Sequence, residues 1–223
     1  MKRIMESVPL DIIPYPDGFL YIARENGFKK QNSIVFRAFE AESMAFFNVS
    51  KKAYFMCKFG PAYEQVCRQL SDLVSCESAL LGKSGSAVIY PGGELGFFTR
   101  SGELTTTSEL TYHDHFARSI APDGDGFWSV VPNGNSVIKY SPRLCRVVFR
   151  IGSSTSNTFE RPVSLSRSES FLFVCNERGC NVRSVNLETY AVRDHRRFAE
   201  PVYRYFRSAK KEFAVLSSGV YVL

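Results

Sequence analysis

One short strand-and-turn phrase recurs along this chain, and a recurring unit constrains fold more tightly than any other sequence feature. "GFLYIARENG", starting at Gly18, is an apolar run that ends at a glycine-bearing turn. Related runs are "KAYFMCKFG" from Lys52, "SAVIYPGG" from Ser86, "GFWSVVPNG" from Gly126, "SFLFVCNERG" from Ser170 and "EFAVLSSG" from Glu212. Before each lies a shorter strand with a polar turn: "LDIIPYPD", "SMAFFNVSK", "SALLGKSG", "ARSIAPDGD", "RPVSLSRSE" and "PVYRYFRSAKK". Pro-Asp-Gly, Ser-Lys and Lys-Ser-Gly supply the turn chemistry that hairpins between apolar strands need.

A third strand follows each glycine turn, and usually a fourth. Unit four shows "NSVIKYS", the turn "PRL" and "CRVVFRIG"; unit five shows "NVRSVNL" and "YAVRDHRRF". Unit two compresses the pattern into "AYEQVC" and "RQLSDLV". No long stretch has 3.6-residue apolar periodicity, so few helices are expected. The unit is a four-stranded antiparallel meander, and meanders of this length stacked side by side predict an all-β propeller. Six blades are expected over residues 1–223 as a single domain, with five or seven if the compressed early units are misread. Unit six lacks a fourth strand. The N-terminal "KRIMESV" is expected to supply it and close the ring, hiding two sheet edges.

Composition agrees with this reading. The chain is 44% hydrophobic and 22% charged, as a globular protein is, and its 19 Phe and 11 Tyr favour strands. No window approaches the roughly 18 apolar residues of a membrane span. No apolar stretch follows the basic pair at the start, so no signal peptide is read and a soluble cytoplasmic protein is expected. The six cysteines, Cys57, Cys67, Cys76, Cys145, Cys175 and Cys180, include no pair of CxxC motifs. They read as reduced, mostly packed thiols, although Cys175 and Cys180 flank a turn and could face each other. The net charge of +6 is scattered, densest at "RDHRRF" and "YRYFRSAKK".

Units four and five, "RSIAPDGDGFWSVVPNGNSVIKYSP" and "RPVSLSRSESFLFVCNERGCNVRSVNLET", resemble the NHL-repeat and YVTN-repeat propellers and the related SMP-30/gluconolactonase group. The resemblance covers roughly residues 117–195 and extends to the first 110 residues only by spacing. It implies a propeller fold. The lactonase branch further implies a divalent cation held by Glu, Asn and Asp around the channel, one Asn opening an inner strand. Val163 stands at that position here, and an alkyl group cannot ligate a hard cation.

Ligands of such scaffolds bind where loops gather on one face. The longest inter-blade connections read from the sequence, 110–118 and 152–162, are expected to reach it. "YHDH" places His113, Asp114 and His115 in the first; in an extended segment the two imidazoles point one way and Asp114 the other. A third metal ligand has to come from elsewhere, and the remaining histidine is His195 in an outer strand. "PNGN", "NTFER" and "NERG" place Asn133, Asn135, Glu160, Arg161, Asn176, Glu177 and Arg178 on a candidate polar rim. Trp128 reads as packing. "GKSGS" at 82–86 lacks phosphate-loop spacing and reads as a hairpin turn, and no GxSxG nucleophile elbow occurs.

No complete catalytic constellation is present, no catalytic residue is assigned, and no metal or cofactor is expected. The leading expectation is a monomeric, non-catalytic scaffold that binds a protein or peptide on its loop-rich face. Two alternatives stand beside it. One is a metal-dependent lactonase; the other is an RNA-binding propeller using Arg193, Arg196, Arg197, Arg204 and Arg207.

Overall fold

The computed structural model describes residues 1–26, 32–69, 72–82, 85–90 and 92–223. Gly27, the "GKSGS" residues Lys83 and Ser84, Leu70 and Ser71 of unit two, and Pro91 lie outside the described residues.

The chain opens with β1 (Lys2–Met5). Blade one is β2 (Asp11–Tyr15), β3 (Gly18–Asn26), β4 (Asn32–Glu40) and β5 (Ala45–Asn48). Two short helices follow, α1 (Lys51–Phe59) and α2 (Tyr63–Gln69), joined by a 3-10 turn at Gly60–Ala62. Blade two is β6 (Glu77–Leu81), β7 (Gly85–Ile89), β8 (Glu94–Phe98) and β9 (Leu104–Glu109). A small hairpin, β10 (Thr111–Tyr112) and β11 (His115–Phe116), leads into blade three: β12 (Arg118–Asp123), β13 (Gly126–Val131), β14 (Ser136–Ser141) and β15 (Arg146–Gly152). Blade four is β16 (Pro162–Ser168), β17 (Phe171–Asn176), β18 (Asn181–Asn186) and β19 (Val192–Arg197). Blade five is β20 (Val202–Ser208), β21 (Lys211–Leu216) and β22 (Gly219–Val222), completed by β1.

The architecture is a β-propeller, and the described residues form five blades, not six. Each is an antiparallel meander in chain order, and its first strand faces a central channel. Second strands are sandwiched between neighbouring blades, which explains their unbroken apolar runs: Phe127 through Val131 of β13 are all buried.

Unit two accounts for the missing blade. "KAYFMCKFG" is helical, and the strand assigned to its start is the outer strand of blade one, β5. Tyr54, Phe55, Lys58 and Phe59 are buried on one face of α1, and Ala62 of the turn and Val66 of α2 are buried as well. Ser50 caps the helix, its Oγ accepting from Ala53 N at 3.1 Å. Gly60, at φ 54°, turns the chain out, and Pro61 blocks continuation. The apolar face packs between Leu20 and Ile22 of blade one and Val88, Tyr90 and Phe98 of blade two. The helices are therefore a wedge in the seam where a sheet was expected. A nine-residue helix shows only two and a half turns of periodicity, and its apolar run and final glycine mimic the strand phrase.

Ring closure follows the sequence reading. β1 pairs antiparallel with β22, Lys2 opposite Val222 and Met5 opposite Val220. Between blades five and one, Phe19 stacks on Phe39 at 5.0 Å and meets Phe213 edge-on at 5.3 Å. Gly219, at φ 140°, lies against the closing strand: a Cβ there would stand 2.0 Å from Met5 O.

Two stability changes are expected. Phe59→Ala removes a fully buried ring from the wedge and should cost about 3–5 kcal/mol in urea unfolding. Gly219→Ala should cost roughly 1–3 kcal/mol through backbone strain, with amide exchange accelerated first in Lys2–Met5. Protection of β1 left unchanged would contradict that account of closure.

Candidate functional site

The channel has a volume of about 620 Å³ and carries charge from four inner strands, at Asp11, Glu77, Arg167 and Arg204, and from Lys58 of the wedge. Lys58 of α1 donates to Asp11 Oδ2 at 2.5 Å, to Leu73 O at 3.1 Å and to Val74 O at 2.7 Å, so all three of its protons are engaged. Asp11 Oδ1 accepts from Ile12 N at 2.9 Å. Arg204 of β20 pairs with Glu77 of β6, whose other oxygen accepts from Ile120 N at 3.3 Å. Burial opposes ionisation of Glu77, but the Arg204 guanidinium outweighs it and holds the carboxyl below its ordinary range. Toward the other end of the channel Arg167 bonds Asp123 at 3.1 Å, and Lys139 of β14, outside the channel lining, bonds the same carboxylate at 2.6 Å. These channel charges are satisfied by one another.

The upper mouth is shaped by a feature repeated in three blades. β12, β16 and β20 each carry a bulge after their first residue, setting Ser119, Val163 and Tyr203 out of the ladder. β2 and β6 pair without one. The displaced residues help to line two adjoining hollows of about 410 and 430 Å³, which share Phe116, Arg118 and Val163. Glu77 lines both the inner hollow and the channel. Phe116, from the small hairpin, is 49% exposed. Arg118 is exposed, and no carboxylate pairs with it among the described residues. None of this was legible as a motif. The available signal was positional: the second residue of three aligned inner strands.

The expected site residues fall in four places. Asn133, Arg161 and Glu177 line the outer hollow, Arg161 Nε bonding Glu177 at 3.0 Å. Asn135 and Asn176 instead staple the scaffold. Asn135 sits in the left-handed region at φ 45°, and its Oδ1 accepts from Arg161 N at 2.9 Å. Asn176 is buried, accepting from Glu160 N at 3.1 Å and donating to Asn181 Oδ1 at 2.9 Å. Glu160 and Arg178 are exposed beside these turns. His113 and Asp114 are the exposed corner of the β10–β11 hairpin, at φ 49° and 61°. The expected extended segment is thus corrected: Tyr112 pairs with His115, and the two-residue turn takes His113 off the strand face that His115 keeps. Among the described residues no group of three or more His, Cys, Asp or Glu side chains is placed to hold a metal ion. His195 lies on β19, 2.8 Å from the Tyr205 hydroxyl and packed on Phe173.

The longest inter-blade connection among the described elements is the helical one, not 110–118 or 152–162. All six thiols are free; Cys76 and Cys175 are buried, but Cys57 and Cys145 are exposed, so packing is less general than expected. Burial pushes Cys76 and Cys175 up to about 12, which keeps both protonated and poor nucleophiles. Trp128 is packing, its Nε1 donating to Asp123 at 3.1 Å. The five arginines of the RNA reading do not form a free cationic bank. Arg204 is in the channel, Arg197 bonds Asp194 at 2.7 Å, and Arg196 and Arg207 share Glu212. Only Arg193 of the set is exposed without such a partner. No described helix is long and apolar enough to cross a membrane.

No protein-family model and no curated protein matches the sequence. Solved structures do match. A streptogramin B lyase superposes with a TM-score of 0.52 at 13% identity, over 96% of this chain and 65% of that one. Virginiamycin B lyase from Staphylococcus aureus, in a catalytically inactive form with quinupristin, gives 0.53 at 12% identity, over 95% and 64%. Saccharomyces cerevisiae Sqt1 gives 0.52 at 11% identity, over 92% and 67%. The chain thus spans just under two thirds of the lyases' length. These likenesses establish the propeller fold and nothing narrower.

The Glu77–Arg204 pair yields a pH test. A carboxyl whose folded value is depressed stabilises fully above its ordinary 4.5 and loses that contribution as pH falls through the folded value. Glu77→Gln should therefore lower stability by on the order of 2 kcal/mol at pH 7, with the deficit shrinking below about pH 4.5. Urea titrations at stepped pH check this; a deficit independent of pH would refute the pairing energetics.

Proposed function

We propose that this chain is a single-domain, non-catalytic propeller scaffold that binds a protein or peptide on the face carrying its strand 2–3 loops and blade connections. The observation that carries the reading is the mouth hollow. There a half-exposed Phe116 stands beside Asn133, Arg161 and Glu177 over a cavity of about 430 Å³. An aromatic anchor ringed by polar groups suits peptide recognition, in which a few central side chains dominate the affinity. The channel charges support the same view, because Lys58 is engaged with Asp11 and Arg204 with Glu77.

The lactonase alternative draws on the resemblance of units four and five to SMP-30-like propellers. Against it stands Val163, which occupies the mouth position where that group carries an amide ligand.

Binding partners recovered by crosslinking and identified by mass spectrometry should be tested against two variants. Phe116→Asp should weaken their affinity about 30-fold or more, as loss of an aromatic anchor does. Leu144→Asp, on the exposed turn at the opposite end of blade three, should leave it unchanged. Equal loss in both variants, or in neither, would sink the assignment to this face. Lactone hydrolysis stimulated by a divalent cation would favour the alternative.

A further inference from the structure

Arg118 is the one cation lining the mouth hollows whose charge nothing in the described structure neutralises. Arg161 is paired with Glu177 at 3.0 Å, and Arg204, behind it, with Glu77. Arg118 nevertheless has a rigid base. Its carbonyl accepts from Ser129 Oγ at 2.9 Å, and the adjacent bulge is pinned to blade four by Leu165 N donating to Ser119 Oγ at 3.2 Å. The guanidinium stands on a fixed bulge between two hollows, with Phe116 and Val163 lining both.

The outer hollow is lined by Arg118, Arg161 and Glu177, which leaves one uncompensated positive charge. A single planar guanidinium matches a carboxylate with two parallel hydrogen bonds. A phosphorylated residue carries about −1.5 to −2 charges and is taken up by clusters of arginines, which this hollow lacks. Asn133 adds hydrogen-bonding capacity beside it, and Phe116 adds apolar contact.

We propose that Arg118 receives a peptide carboxylate, so that the ligand of this face is a peptide segment presenting an acidic group next to an apolar residue. The inference rests on the peptide-binding reading above and specifies its chemistry. The carboxylate has two sources, the free C-terminus of a peptide or an Asp or Glu side group.

Two random dodecapeptide libraries distinguish the sources: one displayed with a free C-terminus, the other joined to its carrier through the C-terminus. Selection on the wild-type protein is followed by affinity measurement against Arg118→Gln and Arg143→Gln, the latter on the exposed turn of the opposite face. Selected peptides should carry a carboxylate, and Arg118→Gln should weaken them about 10- to 100-fold, the range for a charge-assisted bond. Arg143→Gln should not. Amidating the C-terminus, or replacing Asp by Asn or Glu by Gln, should cause a similar loss in wild type and little further loss in Arg118→Gln. Enrichment from the free-terminus library alone assigns the terminal carboxylate; enrichment from both assigns the Asp or Glu side group. Unchanged melting of Arg118→Gln separates lost binding from lost fold. Peptides that bind the Phe116 face but ignore Arg118 would overturn this inference and leave the scaffold reading standing. No binders from either library would overturn both.

Discussion

The ion pair between Lys58 and Asp11 holds the irregular part of this propeller in place. Its side chains are 3% and 5% exposed, so both charges are withdrawn from water. Such a pair is tolerable only when the remaining protons and lone pairs are also satisfied. Here they are: two carbonyls, of Leu73 and Val74, take the other ammonium protons, and Ile12 N caps the second carboxylate oxygen. One lysine thereby joins α1, the inner strand of blade one and the segment entering blade two. Around this polar fastening, Tyr54, Phe55 and Phe59 fill the seam between blades one and two. The next inner-strand residue inward, Glu77, then meets Arg204 across the channel.

That pairing determines where the molecule can do chemistry. Inside the channel Lys58 is committed to Asp11 and Arg204 to Glu77. Bulges in β12, β16 and β20 move one residue per strand out of the ladder at the mouth, where Arg118 is a lining cation left unmatched among the described residues. The binding face proposed at the loop-rich mouth rests on this division of charge.

Much of the fold was legible beforehand. Units four and five read correctly strand by strand, because Asp-Gly, Asn-Gly and Ser-rich turns bracket short apolar runs at regular intervals. Closure through "KRIMESV" followed from counting strands in the last unit. Unit two misled, since a nine-residue helix ending in glycine and a buried strand ending in glycine present the same apolar run; Ser50 and Pro61 were the available signs of a helix. The candidate rim was legible only in part. Asn133, Arg161 and Glu177 reach the hollow, but Asn135 and Asn176 turn inward to hold backbone amides, as asparagine does in tight turns. The histidines expected on one strand face are divided by a hairpin corner.

Local periodicity and turn chemistry, which depend on neighbours in sequence, determined that this protein folds into radially packed β-meanders with its two ends paired. Blade number, the helical wedge and the composition of the mouth were decided by tertiary structure. Each depends on partners far apart in sequence: Asp11 with Lys58, Glu77 with Arg204, Ser119 with Leu165. No local pattern shows that Lys58 is buried on a carboxylate while Arg118 is left bare. The difference arises because a ring brings inner strands from across the sequence to one axis, where their charges pair, while Arg118 at the rim has no charge partner among the described residues.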